Sequence, residues 1–268
     1  HCQCRRQRQM CIRDSYRAAG NQFTDLPSRT FTVIPLSMFT AANAVEKEYS
    51  QYLEGIDASK DADAVLAASA AAAHAMRVAY GSSAEAVIAK TEAKYFNGAD
   101  PKVAEASRAV GKAAVEAAMA KAAEVYDDNY PPYKPQTSAG VYITPHMPVF
   151  PVRFLDEKPW FLESRDEVRA APPGDLDSDV WARDFNEVKR LGRRTESERT
   201  KEQEKEALFW IGQGHEMIID QAAERRNWSL LRTARLYALI AMSLDDGTLA
   251  VFESKYHHNF WRPITAIR

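Results

Sequence analysis

The stretch Lys255-Tyr256-His257-His258-Asn259-Phe260-Trp261-Arg262-Pro263 follows a long helical pattern and carries the most informative charge spacing in the chain. Seven residues at about 100° each make nearly two helical turns, so the spacing predicts that Lys255 and Arg262 leave one helical face, about 10 Å apart along the axis. Phe260 and Trp261 between them offer apolar walls that exclude water and strengthen charge interactions, and Pro263 is expected to end the helix beside the arginine. Two permanent cations on one face suit a tetrahedral oxyanion, with Arg262 donating a fork of hydrogen bonds and Lys255 acting as a point charge. On spacing alone, a solvated pair of surface cations is the commoner explanation.

Working upstream, residues 247–261, 229–244 and 215–226 read as successive helices, with Asp245-Asp246 as the cap of the last. Thr195 and Glu198 have capping-box spacing before a helix whose inward face carries Ala207, Leu208 and Ile211, with Trp210 beside them. Asp177 or Ser178 caps a helix containing Trp181, Phe185 and Val188, and Gly192 terminates it. The acidic-basic run 193–205 is most simply a solvated helix face.

Nine of the thirteen prolines lie between Pro131 and Pro173. Proline removes a donor and fixes one dihedral, so this segment is neither regular helix nor central strand. Val141, Tyr142, Ile143, Val149, Phe150, Phe154, Trp160 and Phe161 are too many apolar residues for a solvated linker, and an extended arm packed on helices is expected. The aromatic trio Phe150, Phe154 and Trp160 is expected to be buried by that packing.

Before the arm the pattern is again helical. Phe31, Ile34, Met38, Ala41, Ala42 and Val45 form one apolar stripe, with Pro35 early enough to sit in a first turn. Residues 61–80 are alanine-dense and stop at Gly81. A third helix spans 83–96, and Asp100 caps Pro101 at the start of a fourth that runs to about Tyr126. The small side chains predict close helix–helix packing. No alternating apolar and polar run is long enough for a sheet, so the class is all-α.

The 268 residues, 46% hydrophobic and 27% charged, describe an ordinary globular chain that can bury a core without disulfides. With 35 basic against 37 acidic side chains there is no overall field for nucleic acid or acidic membrane. The longest apolar run, residues 236–242, is far below the roughly 20 residues of a membrane crossing. Cys2, Cys4 and Cys11 all fall in the first segment, HCQCRRQRQMCIRDS, beside Arg5, Arg6, Arg8 and Arg13. The string QRQMCIRDS resembles translated adapter sequence, so residues 1–15 are expected to be a non-native, unstructured tail. The expected division is then a tail (1–15), an N-terminal helical region (16–130), the arm (131–175) and the first part of a helical bundle (176–268).

The pattern Lys255, Arg262, Pro263 resembles the K-x6-R-P motif of the type-2 phosphatidic acid phosphatase and vanadium-dependent haloperoxidase superfamily. VWARDFNEVKRLG, RTESERTKEQEKEALFW and FESKYHHNFWRPITAIR resemble its bacterial haloperoxidase-like branch, in the same order. FTVIPLSMFTAANAVEKEYSQYL and the proline-rich arm do so too, which extends the likeness from Phe31 to the last residue. The resemblance implies an all-α bundle of the vanadium haloperoxidase and acid phosphatase type. It also implies that Lys255 and Arg262 bind the oxygens of vanadate, or of phosphate as a substrate group.

Such a site is completed in the family by a downstream S-G-H motif and an arginine-and-histidine motif, which supply the ligating or nucleophilic histidine and an acid-base. Arg268 is five residues past Pro263, and neither motif occurs. Gln213-Gly214-His215 lacks the serine and precedes the lysine. The chain is therefore expected to be a fragment, inactive by itself, with no metal-ligating histidine of its own. It is also expected to expose apolar surface around Leu239, Val251 and Trp261.

The resemblance implies a vanadate-dependent enzyme that oxidises halide with peroxide. An acid phosphatase acting on a phosphate ester is the alternative that uses the same residues. A helical scaffold without catalysis is the alternative from another class, and it predicts no dependence on Lys255 or Arg262. Partners are small molecules in either enzyme, with no nucleic acid and no membrane span, and oligomeric state is not readable. A periplasmic or extracellular location is implied only by the family's frequent export. Trp261, His257 and His258 are candidates to support the two cations from behind, although packing or surface roles are commoner for the histidines. His74 reads as a helical histidine, His146 has no partner spacing, and no His or Cys cluster suggests zinc.

Overall fold

The computed structural model describes residues 28–126, 136–143, 155–211 and 215–267. Among them the regular structure is helical, with two isolated β-bridges and no named strand. The elements are α1 (Ser28–Glu46), α2 (Ala64–Tyr80), a 3-10 turn (Gly81–Ala84), α3 (Glu85–Phe96), α4 (Pro101–Ala122), α5 (Asp179–Leu191), α6 (Lys201–Ile211), α7 (His215–Arg226), α8 (Leu230–His258) and α9 (Pro263–Ile267). They fall into two compact units, one within His1–Glu124 and His215–Asp245, the other within Val125–Gly214 and Asp246–Arg268.

In the first unit, α1, α2 and α4 pack on one another. Helix α1 is buried on every side from Thr32 to Ala44, so the single stripe expected from the sequence is corrected to an all-round core helix. Most of its buried polar residues find a partner, with the Thr40 hydroxyl the exception among them. Ser37 Oγ donates to the Val33 carbonyl at 2.7 Å, Thr32 Oγ1 to the Ala241 carbonyl at 3.2 Å, and Asn43 exchanges two hydrogen bonds with the Tyr49 backbone. Pro35 lies in the helix interior and not in a first turn, because α1 already begins at Ser28.

Alanine density acts as expected where α2 meets α4. A Cβ on Gly111 would meet Ala71 N at 2.7 Å, Ala70 Cβ at 2.8 Å and Ala67 O at 2.9 Å, so only glycine lets the two backbones approach this closely. The ends are set by named caps. Asp63 accepts from Val65 N and Leu66 N, Asp100 accepts from Lys102 N and Val103 N with Pro101 behind it, and Gly81 stops α2 at φ 56°. Arg29, buried, donates to the Ala122 carbonyl at 2.8 Å and pairs with buried Asp245 at 3.5 Å.

In the second unit the described part of the arm is partly buried, and the extended path expected for it is corrected to an irregular one of turns and bends. Leu155, Trp160 and Tyr142 are enclosed while Phe161 is 46% exposed. Phe150 and Phe154, like the tail 1–15 and His146, lie outside the described residues. Ser178 caps α5 through Trp181 N, and Gly192 follows its end. The capping box expected at Thr195 and Glu198 is corrected to Thr200 and Gln203. Gln203 Oε1 accepts from Thr200 N at 2.9 Å, and Thr200 Oγ1 accepts from Gln203 N at 3.2 Å. Helix α6 thus begins at Lys201, and its expected inward face is corrected as well, since Leu208 and Trp210 are 62% and 76% exposed.

The largest correction concerns the last helices. Residues 230–258 form one helix, α8, that runs through Gly247, where a boundary was expected. Asp245 and Asp246 are accordingly not caps. They are buried in mid-helix, and Asp246 accepts backbone N–H bonds from Trp160 at 2.7 Å, Phe161 at 2.8 Å and Leu162 at 3.3 Å. One carboxylate on α8 thereby fixes the arm. Val251 is 66% exposed, while Leu239 and Trp261 are only half-buried.

Candidate oxyanion site

Lys255 stands in the last turn of α8, and the helix closes when Asn259 N donates to its carbonyl at 3.0 Å. Asn259 then takes the left-handed conformation, φ 47°, and turns the chain out of the helix axis. Beyond it the backbone pairs with the arm. Tyr142 N donates to the Asn259 carbonyl at 2.7 Å, Trp261 N to the Gly140 carbonyl at 3.0 Å, and Val141 and Phe260 form an antiparallel bridge. Gly140, φ 82°, lies against the Leu176 side chain, which a Cβ would approach to 3.0 Å.

Arg262 therefore does not share a helical face with Lys255, which corrects the expectation from spacing. Its carbonyl accepts from Thr265 N and Ala266 N, so it caps α9, and Pro263 opens that short helix instead of ending the previous one. Both cations nonetheless lie near one ring. Lys255 Nζ lies 4.5 Å from the centre of the Tyr142 ring, and Arg262 Cζ lies 6.0 Å from the same centre. Lys255 Nζ is also 4.8 Å from the ring centres of both Phe252 and Tyr256, and Tyr142 meets Tyr256 edge to face at 6.1 Å. The ammonium is thus surrounded by three aromatic rings, whose faces attract a cation without neutralising it.

Among the described residues neither Lys255 nor Arg262 pairs with a carboxylate. Other cations of the same unit do: Arg169 holds buried Glu253 through Nε at 2.9 and 3.1 Å. Ser254 Oγ accepts from Ala170 N at 3.1 Å, and His258 Nε2 lies 2.8 Å from the Ala170 carbonyl, so residues 169 and 170 grip α8 on both sides of Lys255.

Trp261 stacks on Trp181 at 6.2 Å and 24°, and Phe260 meets Trp181 edge-on at 5.3 Å. The Trp261 Nε1–H is buried and has no acceptor among the described residues. His257 is exposed on the last turn of α8, its ring 5.0 Å from that of His258. His74 is half-exposed on α2, and His215 begins α7. Among the described residues no cluster of His, Cys, Asp or Glu could hold a metal ion, and no helix is long and apolar enough to cross a membrane.

Sequence reasoning missed Tyr142, which lies 113 residues before Lys255 in a segment with no helical or strand period. It also missed Arg169 with Glu253 and the role of Asp246, whose partners are more than eighty residues away. No local pattern announces any of them.

The fold has a solved counterpart. The structure of a bacterial vanadium-dependent iodoperoxidase superposes with a TM-score of 0.79 at 17% sequence identity, over 97% of this chain and 72% of that one. No protein-family model matches the chain, and no curated protein matches it in sequence. The chain has the all-α fold of the vanadium haloperoxidases.

Proposed function

We propose that this chain carries the cationic part of the active site of a vanadium-dependent haloperoxidase-like enzyme, with Lys255 and Arg262 binding the oxygens of vanadate. The observation that carries this reading is the approach of two cations to one buried ring, with no carboxylate partner for either among the described residues. The residues fit the group. Lys255, Arg262 and the orphan indole N–H of Trp261 are all donors, and an oxyanion offers only acceptors. The structural likeness to an iodoperoxidase supports vanadate and halide over phosphate ester, while the donor set itself accommodates both.

Bound vanadate would supply the activation of peroxide toward a halide nucleophile. The chain's own residues orient it and balance its charge. Arg262 can present two parallel N–H groups to two oxygens, and Lys255 adds a third contact as a point charge. Phe252, Tyr142 and Tyr256 lower the polarity around Lys255, so its contact is stronger than it would be in water, whereas Arg262 is exposed.

The test is turnover in a homologue that has the later histidine motifs and the equivalents of these two cations. Replacement of either cation by Ala should lower vanadate-dependent iodide oxidation roughly 100-fold, as loss of one charge-stabilising donor usually does. Near wild-type turnover would remove the reading. Loss of phosphate-ester hydrolysis, without any halide oxidation in the parent enzyme, would move it to the acid phosphatase.

A further inference from the structure

Tyr142 is held in place by its own backbone, which donates to the Asn259 carbonyl at the turn that separates the two cations. Its side chain is 3% exposed, yet its ring is shared by Lys255 Nζ at 4.5 Å and Arg262 Cζ at 6.0 Å. Two like charges drawn to one buried ring repel each other, and no carboxylate among the described residues offsets that repulsion. The ring quadrupole is what attracts both, for each cation lies within the range of about 6 Å where the face of an aromatic ring is attractive.

An acid at this position would do the same work by ion pairing, but it would also cancel the charge that an oxyanion needs. A neutral ring gathers the cations and leaves their N–H groups free to donate elsewhere. Phe252 and Tyr256 complete the enclosure of Lys255 but are its neighbours on α8, at positions 252 and 256. Of the three rings, Tyr142 alone comes from the arm, and it is the one that reaches Arg262 too.

We propose that Tyr142 is a positioning residue that holds Lys255 and Arg262 together as one oxyanion-binding pair. This rests on the oxyanion reading given above, and it assigns the arm a part in the site that goes beyond packing.

The experiment measures orthovanadate and phosphate affinity of the 268-residue chain by equilibrium dialysis, with phenylalanine and then mono-, di- and trifluorophenylalanine in place of Tyr142. Fluorination drains the ring face while keeping its shape, so a purely structural role would not respond to it. Tyr142→Phe should stay within about twofold of wild type, and the trifluoro ring should bind about tenfold more weakly, with the others between. Constant affinity across the series, or an increase, overturns the role of Tyr142.

A second readout separates this from failure of the site itself. The Lys255 ε-methylene protons should be shifted upfield by the surrounding rings and should lose part of that shift in Tyr142→Leu, with Phe252 and Tyr256 keeping the rest. An unchanged shift in that variant also overturns the proposal. Wild-type chain that binds neither anion overturns the oxyanion reading on which the proposal rests, whereas partial loss of the methylene shift in Tyr142→Leu would still support the hold on Lys255.

Discussion

Replacing Asp246 with Ala should release the arm from α8. The carboxylate is 4% exposed and accepts from three consecutive backbone amides, two of them at 2.7 and 2.8 Å and the third at 3.3 Å. A hydrogen bond to a charged acceptor contributes about 1.5–3 kcal/mol net, so the two short bonds together are worth roughly 3–6 kcal/mol. Removing a buried carboxylate also recovers part of its desolvation cost, which places the expected loss near the lower end, at about 3 kcal/mol. Hydrogen exchange at residues 160–162, followed by mass spectrometry, reads this directly. A loss of that size corresponds to about a 100-fold fall in protection if those amides exchange by release of the arm. Asp246→Asn keeps a single acceptor oxygen and should fall between the two. Protection within threefold of wild type in Asp246→Ala would refute the reasoning, since the amides would then have another acceptor.

Further outcomes follow from the same contacts. Arg169→Ala leaves the buried Glu253 carboxylate without its cation and should cost about 2–3 kcal/mol in urea denaturation, less than a fully buried pair because Arg169 is 31% exposed. Glu253→Gln should be milder, and equal losses would contradict this. Gly111→Ala should lower stability by about 1–3 kcal/mol in spite of alanine's higher helix propensity, because the new Cβ meets backbone atoms of α2; an unchanged melting temperature would show that the helices can part freely. Burial pushes the Tyr80 hydroxyl up to about 12 from 10.0, so the unfolded chain ionises first. Its contribution is therefore intact below pH 10 and is lost progressively between pH 10 and 12, by about 2–3 kcal/mol in all. Tyr80→Phe should remove this part of the alkaline decline, and an identical profile in the variant would count against it.

Local chemistry made much of the helical layout legible. Asp100-Pro101, Ser178 before Trp181, and Gly81 and Gly192 after helices act through their immediate neighbours, and the structure uses each of them. Where the sequence misled, two local signals competed or a distant partner decided. Thr195 with Glu198 and Thr200 with Gln203 satisfy the same capping pattern, and only the second forms the reciprocal bonds. Asp245-Asp246-Gly247 looks like a helix boundary because aspartates cap and glycine breaks. Arg29 and the amides of residues 160–162 bind those carboxylates instead, and α8 continues through them. The all-round burial of α1 was hidden for a related reason, since Thr32, Ser37 and Asn43 look like a solvated face until their backbone partners are known.

The site was half legible. Lys255 and Arg262 stand out by type and spacing, but helical geometry brings them together only on paper. Their approach to a common ring depends on the left-handed turn at Asn259 and on a tyrosine from the arm. Neither feature has a sequence period.

Orthovanadate binding to the 268-residue chain, with Lys255→Ala, Arg262→Ala and the double variant, tests the oxyanion site most directly. The proposed site makes binding depend on the two cations, so equilibrium dialysis or vanadium-51 line broadening isolates them from the rest of the chemistry. Wild type should bind, each single variant should weaken binding by about tenfold or more, as loss of one charge-assisted contact implies, and the double variant should retain none. Equal binding by all four chains, or none by wild type, would contradict the site proposed at Lys255 and Arg262.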